Sequence, residues 1–152
     1  MHRHKRRIPR FFPKILSKWK DDKGASAIEF AMLAPLFILL ILGMVAYGIY
    51  FGASHSIQQL AADAARTAIS GLDAAERKQL VDKFLAANAA GYAFVDATKL
   101  KVEANDSSAD PNQFEVSVLY DARNLPIWNL LPDLPMPGRT IARHSTIRMG
   151  GI

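Results

Sequence analysis

Between Phe30 and Phe51 the chain runs through twenty-two residues without a single formal charge, almost all of them Leu, Ile, Ala, Phe, Met, Val or Gly. Wound as a helix, this run is ~33 Å long, which matches the roughly 30 Å hydrocarbon layer of a bilayer. A core helix in a small soluble domain keeps polar residues along its outer side, and this run has none. A secretory signal carries an apolar region of about 7–15 residues, shorter than the one here. The small-x-small triplet Ala62-Asp63-Ala64 is no clean cut site either, because it sits inside a strongly helical stretch. The run predicts a membrane span.

Charge orients that span. The chain has 152 residues and a net charge of +5, but the charge is unevenly placed. Nine Lys/Arg against Asp21 and Asp22 give residues 1–24 a charge of +7. The other 128 residues carry ten basic and twelve acidic groups, a charge of −2. Only Arg66 follows the span closely, so the amino end is expected in the cytoplasm and the carboxyl body across the membrane. Lys5, Arg6, Arg7 and Arg10 can also contact anionic headgroups, which makes membrane lipid an expected partner. Topology accounts for the basic leader, and no nucleic acid is expected. The absence of cysteine excludes disulfides, thiolate metal sites and cysteine nucleophiles.

Glu29 stands at the mouth of the run. A carboxylate at the edge of hydrocarbon must reach water or pair with a cation. In one reading Glu29 lies at the interface near Lys23 and contributes little. In the other, the chain is cut after Gly24, which creates an α-ammonium on Ala25. Positions i and i+4 share a helix face, ~6 Å apart along the axis, so Glu29 can neutralise that ammonium on its own chain or, with a modest stagger, on a neighbouring helix.

The stretch Lys23-Gly24-Ala25-Ser26-Ala27-Ile28-Glu29-Phe30 resembles the processing site of type IV prepilins and pseudopilins, with a charged leader, a glycine before the cut and a glutamate fifth after it. More narrowly, Gly24 to Pro35 is similar to the opening of TadE-like proteins of the tight-adherence (Tad/Flp) pilus system. Gly43 and Gly48 in the span, and Ala61-Ala62-Asp63-Ala64-Ala65-Arg66 beyond it, fit the same style. The resemblance implies cleavage after Gly24 by a prepilin peptidase, and a minor pilin or pseudopilin that assembles through its hydrophobic helix. It makes Gly24, Ala25, Glu29 and Phe30 the processing and assembly residues, and other pilins or pseudopilins the partners. Residue 25 is Ala, where many pilins carry a methylated Phe.

Pro35 lies within the run, where membrane helices tolerate proline if neighbours re-satisfy the freed carbonyl near Ile28–Phe30. Gly48-x-x-x-Gly52 has the spacing of a helix-packing face, although glycine is common in membrane helices in any case.

Past Phe51 the helix is expected to continue to Ser70. Ile57, Leu60, Ala61, Ala64, Ala68 and Ile69 form a one-sided apolar stripe, and Gly71 is the stop. That stripe either packs under a head or binds a partner helix. Asp73-Ala74-Ala75-Glu76 reads as a capping box for a second helix carrying Leu80, Val81, Phe84 and Leu85 and ending at Ala90-Gly91. Alternation then signals three strands: one on Leu100 and Val102, a second on Phe114, Val116, Val118 and Tyr120, and a third over 139–149 with Ile141, Ile147 and Met149 on one side. The Pro-rich segment 125–138 cannot be a central strand. Its Ile127, Trp128, Leu130 and Leu131 either cover the sheet or contact a partner subunit. The expected fold is α+β: a long N-terminal transmembrane helix continuing into a small head with a second helix and a three-stranded antiparallel sheet.

Chemistry finds little footing. The Asn105–Asn112 loop is rich in oxygen ligands but lacks the EF-hand spacing and its bidentate glutamate. None of His2, His4, His55 and His144 stands in an H-E-x-x-H pattern, and there is neither a G-x-S-x-G turn nor a phosphate loop. No enzyme, cofactor, metal or small-molecule substrate is expected. The chain divides into a basic cytoplasmic leader (1–24), a transmembrane helix (25–54) and a periplasmic head (55–152). Its expected place is the bacterial inner membrane as a single-pass protein, with passage into an extracellular pilus following from the family resemblance. The other function class is an uncleaved, membrane-anchored pilus-assembly or partner-binding protein.

Overall fold

A computed structural model describes residues 22–130 and 135–149. The basic leader up to Asp21, and Leu131 of the apolar loop, lie outside the described residues. The chain divides into two compact units at Ile38/Leu39.

Helix α1 (Asp22–Thr67) is one continuous element that runs through Pro35. In the first unit it is a bare rod, with Phe30 and Met32 more than 70% exposed. In the second unit α1 becomes one layer of a folded head. Burial on α1 begins at Ala46 and continues through Ala53, Ile57, Leu60, Ala61, Ala64 and Ala65 to Ala68 just past its end, each fully buried. Six of these eight positions are alanine, and with Ile57 and Leu60 they join the buried side chains of the sheet in one apolar core. The expected stripe is therefore core, with one exception. Ile69 is 64% exposed, because the chain tightens into a 3-10 turn over Ala68–Ser70. Three residues per turn instead of 3.6 rotate Ile69 off the buried face.

Helix α2 (Ala74–Asn88) starts on Asp73, whose carboxylate accepts from the Glu76 N–H at 2.8 Å. Glu76 reaches back to the Leu72 N–H, one residue before the cap and not the cap itself as a capping box requires. Gly71 is needed here for space: a Cβ on it would lie 2.7 Å from Arg77 Cγ and 2.8 Å from the Arg77 backbone nitrogen.

Strands β1 (Leu100–Asp106), β2 (Gln113–Asp121) and β3 (Thr140–Arg148) form one antiparallel sheet in the order β1-β2-β3. The register sets Tyr120 between Leu100 and Ile141, and Phe114 between Asp106 and Ile147. Phe114, Val116, Val118 and Tyr120 are buried, while the alternate residues of β2 are partly or fully exposed, so one sheet face is core. The architecture is the α+β arrangement expected from the sequence.

The first part of the Pro-rich segment, residues 125–130, lies against the core. Leu125 and Ile127 are buried, and the Trp128 indole N–H donates to the Ala122 carbonyl at 2.7 Å. The Arg139 guanidinium lies 5.4 Å from the centre of the Trp128 ring. Leu130 stays partly exposed.

Candidate functional site

Gly24, Ala25, Glu29 and Phe30 all lie in α1 and all are exposed. The Gly24–Ala25 bond falls in the first turn of the helix, where backbone N–H groups have no intrahelical acceptor and helix ends fray most readily. Ala25 and Glu29 are one helical step of four residues apart, so they share a face. A Cβ built on Gly24 meets nothing within 4 Å among the described residues.

The two glycines of the expected packing face behave differently. Among the described residues a Cβ on Gly48 meets nothing within 4 Å, but one on Gly52 would lie 2.9 Å from Phe94 Cε2. The Gly52 notch is therefore filled by the chain's own aromatic ring, and the Gly48-x-x-x-Gly52 pair does not offer one open face.

A polar cluster at the far end of α1 ties the helix to the segment after α2. Asp63 accepts from the Tyr92 hydroxyl at 2.7 Å and from Arg66 Nη1 at 2.7 Å. Burial, reinforced by the hydrogen bond and charge of Asp63, pushes the Tyr92 phenol up to about 12. A raised phenol favours the neutral form in the folded protein. Its contribution to stability is complete below the ordinary phenol pKa near 10 and is lost as pH climbs from there through about 12. An ultraviolet titration should show one phenol ionising near pH 12, and Tyr92→Phe should remove that late phase.

A second clamp, equally hidden in the sequence, joins α2 to the sheet. Arg77 is buried, donates to Asp106 Oδ1 at 2.9 Å, and sits 5.5 Å from the centre of the Phe114 ring. Asp106 and Asp110 belong to the oxygen-rich 105–112 loop. Asp106 faces this guanidinium, and Asp110 caps its own turn by accepting from the Asn112 N–H and from Gln113 Nε2. Among the described residues no group of three or more His, Asp or Glu side chains is placed to hold a metal.

An exposed apolar helix at the amino end, leading into a small α+β head, has the build of a single-pass membrane-anchored protein; none of the residues in its most apolar stretch is buried. The family model described as TadE-like protein matches residues 24–66, nearly the whole of α1. No curated protein and no solved structure matches the chain. The matched stretch holds the Gly24–Glu29 spacing, the apolar run and the alanine face under the sheet, and it stops before α2 and the strands. With the apolar helix, it fits a membrane protein related to Tad pili.

Proposed function

We propose that this chain is a minor pilin or pseudopilin of a Tad/Flp pilus, cut after Gly24 by a prepilin peptidase. A basic leader (1–24) stays in the cytoplasm, residues 25–54 cross the inner membrane, and the head from residue 55 faces the periplasm. The observation that carries the reading is the position of Glu29. It shares a helix face with Ala25 at the entrance to an uncharged helix, inside the TadE-like match. Cleavage leaves a positive amine at the edge of the hydrocarbon, and a carboxylate four residues on neutralises it in its own chain or a neighbour's. The partners are membrane lipid, the prepilin peptidase and other pilins, whose helices pack against the bare rod before the head begins.

The rival is an uncleaved anchor whose head recruits an assembly partner. Shearing cells and probing the filament and membrane fractions separates the two. The proposal expects the protein in the sheared filament fraction, and its loss from that fraction when the peptidase is deleted. Retention wholly in the membrane, regardless of the peptidase, would favour the rival.

A further inference from the structure

Head atoms cover α1 from Ala46 onward, yet the uncharged run continues to Phe51. The overlap is six residues, Ala46 to Phe51, whose five helical steps span ~7.5 Å. A bilayer of about 40–45 Å with a 30 Å hydrocarbon core has an interfacial layer of roughly 5–8 Å on each side, the same depth. A head that begins inside the span's own apolar run cannot stand clear of the membrane that the run occupies.

The residues at that level suit such a place. Tyr47, Tyr50 and Phe51 cluster on α1, with ring centres 6.1 Å apart for Tyr47–Phe51 and for Tyr50–Phe51. The Tyr47 hydroxyl donates to the Pro135 carbonyl, which draws the end of the Pro-rich segment to the same level and satisfies a backbone acceptor where water is scarce. On another side of the helix, Phe94 lies over Gly52 and remains 52% exposed. Phe94 has φ 62°, a left-handed conformation rare for a residue with a Cβ. The turn is pinned from inside the head: the buried Tyr120 hydroxyl donates to the Phe94 carbonyl at 3.2 Å, and the Asp96 N–H donates to that same hydroxyl oxygen at 3.3 Å. The fold holds an unusual backbone turn in place, and its ring remains half outside the core. Aromatic rings concentrate where a bilayer meets water.

We propose that the base of the head, formed by Phe94 on Gly52, Phe51, and Pro135 bonded to Tyr47, is a lipid-contacting surface seated in the outer interfacial layer of the membrane. The proposal rests on the membrane-span reading, and continuity with that span commits the occupant to lipid. In a filament the same base would have to leave the lipid, so this contact belongs to the membrane-resident state.

Tryptophan quenching tests it. Trp19 and Trp128 are replaced by Phe in the full-length protein, and single tryptophans are introduced as Leu40→Trp, Phe94→Trp or Leu72→Trp. Each variant is reconstituted into phosphatidylcholine vesicles brominated near the carbonyl end of the acyl chains, with unbrominated vesicles as reference. Leu40 is in the apolar run, and Leu72 is 91% exposed just past the far end of α1, at least ~23 Å along the axis from Gly52. The expected result is quenched emission for Leu40→Trp and Phe94→Trp, and unquenched emission for Leu72→Trp. Phe51→Trp provides a second probe of the base, expected to be quenched, should Phe94→Trp unfold the head by circular dichroism. Quenching at Leu40→Trp with none at the base would overturn the proposal and leave the span intact. Equal quenching at Leu72→Trp would overturn it too, since the head would then lie flat on the lipid. No quenching at Leu40→Trp would remove the span itself, and the proposal with it.

Discussion

Replacing Glu29 by Leu should leave membrane insertion and leader cleavage intact and abolish incorporation into the pilus. Insertion survives because Leu suits hydrocarbon better than a carboxylate does. Cleavage survives because the bond to be cut, Gly24–Ala25, lies a full helical turn away and the glycine is unchanged. Assembly fails because the mature chain begins with an ammonium on Ala25 that must leave water as helices pack together. At ~6 Å and an effective dielectric near 20, the attraction between that amine and the Glu29 carboxylate is about 3 kcal/mol, or roughly a hundredfold in each subunit's equilibrium. Removing one partner of a desolvated pair also leaves the other uncompensated, a loss of about 3–5 kcal/mol. Glu29→Asp keeps the charge on a shorter arm and should recover part of the incorporation. Immunoblots of the sheared and membrane fractions check the series. Normal piliation by Glu29→Leu would return Glu29 to the plainer reading, an interfacial carboxylate that contributes little.

The second large effect concerns the head. Phe114 is fully buried on the core face near the start of the central strand β2, lies opposite Ile147 on β3, and carries the Arg77 guanidinium over its ring. Phe114→Ala removes the ring and leaves a cavity, for an expected loss of about 3–5 kcal/mol. Arg77 then also loses its aromatic neighbour and keeps only its bond to Asp106 and a longer one to the Gly71 carbonyl. Against a typical domain stability of about 5–15 kcal/mol, this change brings the head close to unfolding at growth temperature. Leu119, further along the same strand but facing outward and 38% exposed, provides the contrast. Leu119→Ala should cost under about 1 kcal/mol. Thermal melts of the full-length proteins in detergent compare the two. Equal melting temperatures would mean that the β2 faces are assigned the wrong way round.

The elements of this fold were readable wherever one local pattern acted alone. Val116, Val118 and Tyr120 alternate with a face that carries Glu115, Ser117 and Asp121, and they form the core face of β2. The alanines after Phe51 recur at helical spacing, and they are the floor of the head. Asp73 caps α2 as its residue type suggests. Ile69 departs from its stripe because a few residues of 3-10 winding, invisible in composition, turn it outward. What stayed hidden depends on residues far apart in the chain. Asp63 and Tyr92 are 29 positions apart, as are Arg77 and Asp106, and nothing local to either partner announces the bond. Gly52 has the spacing of half a helix-packing pair, yet Phe94, 42 positions on, fills its notch. The residues proposed for processing present the opposite case. Gly24, Ala25 and Glu29 stand out by spacing and by resemblance, while the fold adds only that they share an exposed helix, because the chemistry proposed for them would be expressed only after a peptide bond is cut and neighbouring helices arrive.

That cut is the point on which the account turns. Intact-mass measurement of the protein purified from cells that express its cognate prepilin peptidase should find a mature chain beginning at Ala25, with residues 1–24 gone, and the full-length mass in cells lacking the enzyme. A functional pool that still begins at Met1 in the presence of the peptidase would contradict it.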